Sequence, residues 1–245
     1  MIVDILTLFP GFFLSPLQES ILSRGIGEGK IRIRIFNLRD FATDRHRTVD
    51  DRPYGGGAGM ILKPEPLRRA LKWLSGLPET HPRVILMAPQ GTPLNQARVK
   101  ELADCPRIIL ICGRYEGVDE RIAEYYCDDQ ISIGDYVLSG GEPAALVLLD
   151  AVARLVPEVM GCAQSGDEES FEAGLLEYPQ YTRPRQFEGH EVPAVLFSGD
   201  HEKIRRWRHG QSLLRTAERR PDLIVEARLS PEDQNIVQAI KGKKF

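Results

Sequence analysis

Short apolar runs alternate with helix-spaced segments over residues 1–156. Ile2–Leu8 is apolar apart from one acid, and Ile31–Asn37 alternates isoleucine with arginine, so both runs predict β-strands. Three further strands are predicted at Arg83–Met87, Arg107–Cys112 and Gln130–Ile133. Helical spacing predicts helices at Phe12–Arg24, Pro64–Leu74, Leu94–Ala103, Val118–Tyr126 and Glu142–Val156. This alternation predicts βαβ units, and therefore an α/β fold with a parallel sheet and helices on its faces.

The pattern changes after Pro157. Residues 161–172 carry four acidic side chains and no basic one, which predicts an exposed, mobile linker. His201–Pro221 holds seven Arg or Lys residues against two Glu, and Ser230–Lys241 begins with the capping residues of a helix. We therefore predict a domain of residues 1–160, a linker of residues 161–172, and a small, helical, locally basic domain of residues 173–245.

Composition excludes several classes of protein. The 245 residues carry 32 basic and 35 acidic side chains, a net charge of −3, so the chain is not a uniformly basic nucleic-acid coat. The longest apolar stretch, Ala144–Val156, contains two charged residues and is too short to span a membrane. The first residues lack the basic region of a signal peptide. The four cysteines form no CxxC pair, which favours free thiols, no structural metal and a cytoplasmic location.

Three glycine-bearing loops each follow a predicted strand, at residues 88–91, 112–117 and 133–141. Because ligands of open α/β sheets bind at the carboxyl ends of strands, these loops suggest one shared pocket. Ordinary strand-to-helix turns are the alternative interpretation, since glycine is common there. The chain contains neither GxGxxG nor GxxxxGK[ST], so any cofactor is held without the usual phosphate-binding motifs.

A fourth, longer loop at residues 39–59 contains few core-forming residues and dense charge of both signs. Loops of this length without predicted structure are usually functional or disordered. Arg45, Arg47 and Arg52 could contact phosphates, and Gly55–Gly57 would let a backbone approach a ligand closely. A merely solvated charged loop is the alternative.

Five segments resemble one family: DRHRTVDDRPYGGGAGM at 44–60, CGRYEGVDERI at 112–122, SIGDYVLSGGE at 132–142, GLLEYPQYTRP at 174–184 and LFSGDHEKIRRWR at 196–208. In this order and spacing they are similar to the bacterial tRNA (guanine-N1)-methyltransferase family, TrmD. The resemblance covers essentially the whole chain. It implies a SPOUT-type α/β domain with a C-terminal deep trefoil knot, which periodicity alone does not predict. It also implies a homodimer whose active site lies at the subunit interface.

The resemblance implies S-adenosylmethionine-dependent methylation of N1 of guanosine 37, next to the anticodon of tRNA. The cofactor pocket would then be lined by Pro89, Gly113, Tyr115, Glu116, Ile133, Gly134, Asp135, Tyr136, Val137, Leu138, Gly140 and Gly141. The tRNA contacts would come from Arg45, His46, Arg47, Asp50, Arg52, Gly59, Lys203, Arg205 and Arg208. The family is also associated with Mg²⁺, but no ligand spacing in this sequence places a metal site.

Methylation at guanine N1 requires a base for the N1 proton and a positive group near O6. Arg154 matches the family's arginine, although its spacing from Asp150 also suits a structural ion pair. The family carries Asp before Ser-Phe in the linker, whereas this chain carries Glu169, which would extend the carboxylate by one methylene. Asp167 is the alternative base. Two other functions stay open: a related methyltransferase acting on another RNA position, and a catalytically weak RNA-binding relative.

Overall fold

A computed structural model of the chain describes residues 1–160, 169–227 and 229–241. The chain separates into two compact units, Met1–Gly161 and Cys162–Phe245. None of the helices in the described ranges is long and apolar enough to cross a membrane.

The first unit is built on a parallel sheet of five strands: β1 Ile2–Thr7, β2 Arg32–Asn37, β5 Arg83–Pro93, β6 Arg107–Cys112 and β7 Asp129–Ser132. Their order across the sheet is β2-β1-β6-β5-β7. A separate antiparallel pair is formed by β3 Asp50–Asp51 and β4 Ile61–Leu62. The predicted α/β architecture with a parallel sheet is therefore confirmed.

Helices cover both faces of this sheet. They are α1 Ser20–Gly27, α2 Pro64–Ser75, α3 Gln96–Ala103, α4 Glu120–Tyr126 and α5 Glu142–Ala153. Side chains alternate along β6, so that Ile108 and Leu110 pack with α1, α3 and α5, whereas Ile109 and Ile111 pack with α2 and α4. The fully buried β6 is the centre of both cores, and this explains its continuous apolar sequence.

The predicted helix at Phe12–Arg24 is wrong. Two short 3₁₀ turns, Pro10–Phe13 and Pro16–Gln18, precede α1. Pro16 disfavours a continuous helix because it lacks a backbone N–H and restricts the residue before it. The helix then continues through Gly25, where a Cβ would lie 3.1 Å from the Ile31 side chain.

The loop at residues 39–59 is more ordered than the sequence predicts. It starts in a 3₁₀ turn, Leu38–Phe41, and includes β3. Val49 is fully buried in the core beside α2 and α4, and Phe41 and Ala42 pack against the same core. These apolar residues hold the otherwise polar loop in place. Strand β5 also extends beyond its predicted end, because pairing with β7 resumes at Thr92 after a break that follows Met87.

The described residues of the second unit contain three helices and a short hairpin: α6 His201–Arg219, α7 Pro221–Glu226, α8 Pro231–Lys241, β8 Gln186–Phe187 and β9 His190–Glu191. Leu213, Ile224 and Val237 form its small core, one from each helix. The Ser230 hydroxyl accepts a hydrogen bond from the Asp233 amide at 3.1 Å, as the predicted helix cap requires. The short helix α7 has no counterpart among the predicted elements.

Candidate functional site

A cavity of about 350 Å³ opens at the carboxyl ends of β5, β6 and β7. All three predicted glycine-bearing segments contribute to its walls, as expected for segments that meet at one edge of a sheet. The prediction of a loop at residues 88–91 is wrong, because these residues lie within β5 at the break in its pairing with β7. Eleven of the twelve residues predicted for the cofactor line it: Pro89, Gly113, Tyr115, Glu116, Ile133, Gly134, Tyr136, Val137, Leu138, Gly140 and Gly141. The twelfth, Asp135, is not among the lining residues.

The floor of this cavity is a crossing of two backbones. The Gly141 amide donates a hydrogen bond to the Gly113 carbonyl at 2.8 Å. A Cβ on Gly141 would lie 2.8 Å from the Cα of Cys112, closer than real Cβ atoms approach backbone. Glycine is therefore required where segment 133–141 passes the end of β6.

A buried carboxylate lies beneath this crossing. Glu142, the first residue of α5, is 1% exposed, and its Oε1 accepts a 2.8 Å hydrogen bond from the Thr7 hydroxyl. The Thr7 hydroxyl in turn accepts from the Phe9 amide at 2.9 Å. Arg114, which lines the cavity, stacks on the Phe9 ring at 4.7 Å and faces Glu142. One polar cluster thus joins the ends of β1 and β6 to the start of α5.

Glu142 and Arg114 are not among the predicted site residues. Arg114 lies between two predicted cofactor residues in the CGRYEG segment, and this position in the sequence indicates that it lines the same site. Glu142 is 135 residues from its partner Thr7, so nothing in local spacing connects them.

The long charged loop meets the cavity through its second half. The Glu116 amide donates to the Met60 carbonyl at 3.0 Å, and a Cβ on Gly59 would overlap the Glu116 side chain. Burial of the phenol and its hydrogen bond to Asp50 raise the pKa of Tyr115. Asp50 and Gly59, predicted as tRNA contacts, therefore lie beside the predicted cofactor residues Tyr115 and Glu116.

The other predicted tRNA contacts of this loop are on the surface. Arg45, His46, Arg47 and Arg52 are all exposed. Arg47 forms an exposed ion pair with Asp40 at 3.1 Å. Their charges are accessible to solvent and to a large polyanion.

The predicted contacts in the second unit lie on α6 and differ in environment. Lys203 and Arg205 are exposed and pair with acidic residues one helical turn earlier, Asp200 and Glu202. Arg208 is half-buried, and its guanidinium lies over the Tyr178 ring at 4.7 Å. Arg208 is therefore partly a structural residue.

The predicted catalytic residues belong to different units. Arg154 is the half-buried C-cap of α5, and its amide donates to the Asp150 carbonyl at 3.3 Å. Glu169 is half-buried at the start of the described part of the second unit. The alternative base, Asp167, lies outside the described residues. Within the described ranges, no group of three His, Cys, Asp or Glu side chains is arranged to hold a metal ion.

The chain is similar to known proteins over nearly its whole length. A family model described as tRNA (guanine-1)-methyltransferase TrmD matches residues 1–226. A tRNA (guanine-N(1)-)-methyltransferase from Pelotomaculum thermopropionicum is 54% identical, over 98% of this chain and 96% of the relative. Proteins of the same name from Geotalea uraniireducens and Dehalococcoides mccartyi are 54% and 50% identical, over 97% and 100% of this chain and 96% and 98% of the relatives.

The protein has a parallel sheet flanked by helices, with a glycine-lined cavity at the carboxyl edge of the sheet. Nearly the whole chain is matched by tRNA methyltransferases, and these findings together define the protein as a tRNA methyltransferase. The chain belongs to the TrmD family of tRNA (guanine-N1)-methyltransferases.

Proposed function

We propose that this chain transfers a methyl group from S-adenosylmethionine to N1 of guanosine 37 in tRNA. The observation that carries the proposal is the glycine-lined cavity at the ends of β5, β6 and β7, in a chain of the TrmD family. The substrate class follows from that family. We also propose the position of the modified guanosine in tRNA and the roles of individual side chains.

The cavity suits an adenosine-containing ligand without phosphates. The Gly113 amide and the Gly140 backbone would bind the adenine and ribose, and Tyr136 and Leu138 would supply apolar walls. The close approach at Gly141, where a Cβ would collide with Cys112, would hold the two loops in place around such a ligand. When bound, S-adenosylmethionine supplies the electrophilic methyl group.

The protein's own contribution is the handling of one proton and one developing charge. We assign Glu169 as the base that accepts the N1 proton of guanine, because a carboxylate is needed there and the family carries one at this position. Arg154 would donate hydrogen bonds to guanine O6, where negative charge develops once N1 loses its proton. With the N1 proton on Glu169 and the charge at O6 balanced by Arg154, N1 would be the nucleophile that accepts the methyl group.

We also propose that the active site forms in a homodimer, with Glu169 of one subunit serving the cavity of the other. Apolar side chains about half exposed to solvent support such an interface: Phe9, Phe12, Leu14 and Val147. The turn that carries Phe12 packs against α5, which carries Val147. Large exposed apolar residues grouped in this way are typical of association surfaces.

The deep trefoil knot is proposed on the path of one segment. Residues 133–141 leave β7 at the edge of the sheet, yet Gly141 bonds to Gly113 at the end of β6. Strand β5 lies between β7 and β6, so this segment has to pass the end of β5. We take this crossing path as support for the proposal that the chain is knotted.

We propose that tRNA binds through Arg45, His46, Arg47 and Arg52 in the first unit and through Lys203, Arg205 and Arg208 in the second. Their exposed charges would contact phosphates and position the RNA. Because tRNA is the substrate, we assign the protein to the cytoplasm. The described residues do not fit a Mg²⁺ site, and no step is assigned to that ion.

The proposal is tested by methyl transfer to two matched transcripts. The purified protein is incubated with methyl-labelled S-adenosylmethionine and a tRNA carrying guanosine 37, or the same tRNA with adenosine 37. Label should enter only the first transcript. Equal labelling of both, or of neither, would contradict the proposal.

A further inference from the structure

A second cavity, of about 820 Å³, is lined entirely by residues of the second unit. This volume is within the range of ~300–1,000 Å³ that small-molecule sites occupy. Residues 178–185, the turn Ala194–Phe197 and helix α6 form most of its walls. Its chemically distinctive lining consists of three aromatic residues and three arginines: Tyr178, Tyr181, Phe197, Arg183, Arg185 and Arg208. We call it the C-terminal cavity.

The positive charges of Arg183 and Arg185 are not balanced by an acidic residue of the cavity lining. Its lining residues, all in the described part of the chain, include three arginines and no Asp or Glu. Arg183 and Arg185 are exposed and form no ion pair with a described residue. On the outer face of α6, by contrast, Arg205 and Arg206 both pair with Glu202 at 2.9 Å. An anionic ligand is therefore favoured in the cavity over the outer face of the helix.

Flat surfaces are available beside this charge. The rings of Tyr181 and Phe197 are 48% and 51% exposed, although both line a cavity. The guanidinium of Arg185 lies over the Phe197 ring at 4.7 Å, so one charged plane and one aromatic plane adjoin. Nucleobases stack on aromatic rings and on guanidinium planes, and this stacking tolerates any base because every base has a planar face.

The walls are held before any ligand arrives. The Leu176 amide donates to the Thr216 hydroxyl at 2.9 Å, and the Ser212 hydroxyl donates to the Leu176 carbonyl at 2.6 Å. At the opposite side, the Val192 amide donates to the Arg185 carbonyl at 2.9 Å and closes the base of the β8–β9 hairpin. A preorganised site of this kind loses little conformational entropy on binding.

We propose that the C-terminal cavity binds one unpaired nucleotide of the tRNA, with its base against Tyr181 and Phe197 and its phosphate against Arg183 and Arg185. The combination of exposed aromatic rings with the charges of Arg183 and Arg185 matches a nucleotide better than a peptide phosphorylated on serine or threonine, which offers no planar group to the two rings. The inference rests on the proposed action on tRNA and gives the second unit a role beyond general phosphate attraction.

The test separates stacking from charge by their salt dependence. Equilibrium binding of tRNA to the full-length protein is measured over a series of salt concentrations. The variant Y181L/F197L keeps apolar bulk but removes both rings, so its affinity should fall about tenfold with an unchanged salt slope. Arg185→Gln should weaken binding and also lower the slope by about one, since the neutral side chain no longer neutralises a phosphate.

Two matched controls lie outside the cavity. Phe187→Leu removes an exposed ring of the hairpin, and Arg206→Gln removes a surface arginine of α6; neither residue lines the cavity. Phe187→Leu should bind tRNA as the unmodified protein does, and Arg206→Gln should change affinity less than Arg185→Gln. Affinity for S-adenosylmethionine should be unchanged in all four variants because the proposed site of that ligand lies in the first unit, and a wild-type thermal unfolding transition of each variant shows that its second unit is folded.

A second arm identifies the ligand class. A short single-stranded RNA and a blunt RNA duplex are compared as ligands of the unmodified protein and of Y181L/F197L. Loss of affinity confined to the single strand supports the inference. An equal loss for both RNAs, wild-type affinity of Y181L/F197L for tRNA, or displacement of the single strand by a phosphotyrosine peptide at equal concentration would each overturn it. Methylation of tRNA by the unmodified protein reports on the proposed function independently of these outcomes.

Discussion

The Nη1 atom of Arg114 lies 3.8 Å from the Oε2 atom of Glu142, at the base of the cavity formed by β5, β6 and β7. Glu142 is buried, and its Oε2 makes no hydrogen bond to a described group. The pair is therefore close enough for electrostatic attraction but longer than a hydrogen bond. The N–H groups of Arg114 are held at the edge of the cavity by charge and by the Phe9 ring.

This arrangement predicts the effect of removing one charge. Glu142→Gln keeps an acceptor for the Thr7 hydroxyl but no longer attracts Arg114, so affinity for S-adenosylmethionine should fall about fivefold, equivalent to ~1 kcal/mol. Isothermal calorimetry measures the affinity. Glu124→Gln, which removes an exposed carboxylate of α4, is the control. Unchanged affinity in Glu142→Gln would show that the pair does not shape the cavity.

The backbone crossing predicts a strict requirement for glycine. Gly141→Ala places a Cβ 2.8 Å from the Cα of Cys112, so the turn has to move and S-adenosylmethionine binding should weaken at least tenfold. Gly27→Ala, in α1 with nothing within 4 Å of the added Cβ, should leave binding unchanged. Calorimetry on both variants distinguishes a local requirement from general intolerance of alanine. Wild-type affinity in Gly141→Ala would mean that the floor of the cavity is adaptable.

Exposed arginines of the long loop predict a salt effect. Replacing both Arg45 and Arg52 by Gln should weaken tRNA binding and lower the slope of log affinity against log salt by about two, because each arginine would neutralise one phosphate. Arg32→Gln is the matched control. This exposed arginine lies at the amino end of β2, whereas the long loop follows the carboxyl end of the same strand. An unchanged slope in the double variant would assign the tRNA footprint to other residues.

The buried thiol of Cys112 and the half-buried thiol of Cys127 should not react with alkylating reagents in the folded protein. Burial, reinforced by the nearby Glu142, raises the pKa of Cys112 well above its ordinary value, and burial next to Asp128 raises the pKa of Cys127 to about 12. Raised pKa values keep both thiols protonated at pH 8, and the thiol is not the nucleophile. Mass spectrometry after iodoacetamide treatment should show both residues unlabelled in the folded protein and labelled in urea. Rapid labelling of either under native conditions would contradict this description of the core.

The proposed base predicts a specific kinetic defect. Glu169→Gln keeps the size of the side chain but cannot accept a proton, so single-turnover methyl transfer should fall by ~10²–10⁴-fold with both substrates still bound. Asp167→Asn should change the rate little. A near-normal rate in Glu169→Gln together with an inactive Asp167→Asn would move the role of base two residues upstream.

Much of the first unit could be predicted from sequence because its signals are local. Each of the five strands is an apolar or alternating run, and parallel strands end at one edge, so three loops distant in sequence could be expected to share a cavity. The prediction of a continuous helix across Pro16 is wrong. It relies on the helical spacing of the apolar residues, whereas the effect of proline on the backbone prevents a continuous helix there.

Other features depend on contacts that spacing does not encode. The hydrogen bond between Thr7 and Glu142 joins residues 135 positions apart, and a buried glutamate at a helix start looks in sequence like an ordinary acidic first turn. The C-terminal cavity likewise combines Arg185, Phe197 and Arg208 from three different segments. The family resemblance supplied the catalytic residues, which no periodicity selects.

The most direct test of the central claim is the position and chemistry of the product. After reaction with S-adenosylmethionine, a tRNA carrying guanosine 37 is digested with nucleases and its modified nucleoside is identified and mapped by mass spectrometry. The predicted result is 1-methylguanosine at position 37 alone. A methyl group on a ribose 2′-oxygen, on another guanine nitrogen, or at another position of the tRNA would contradict the account.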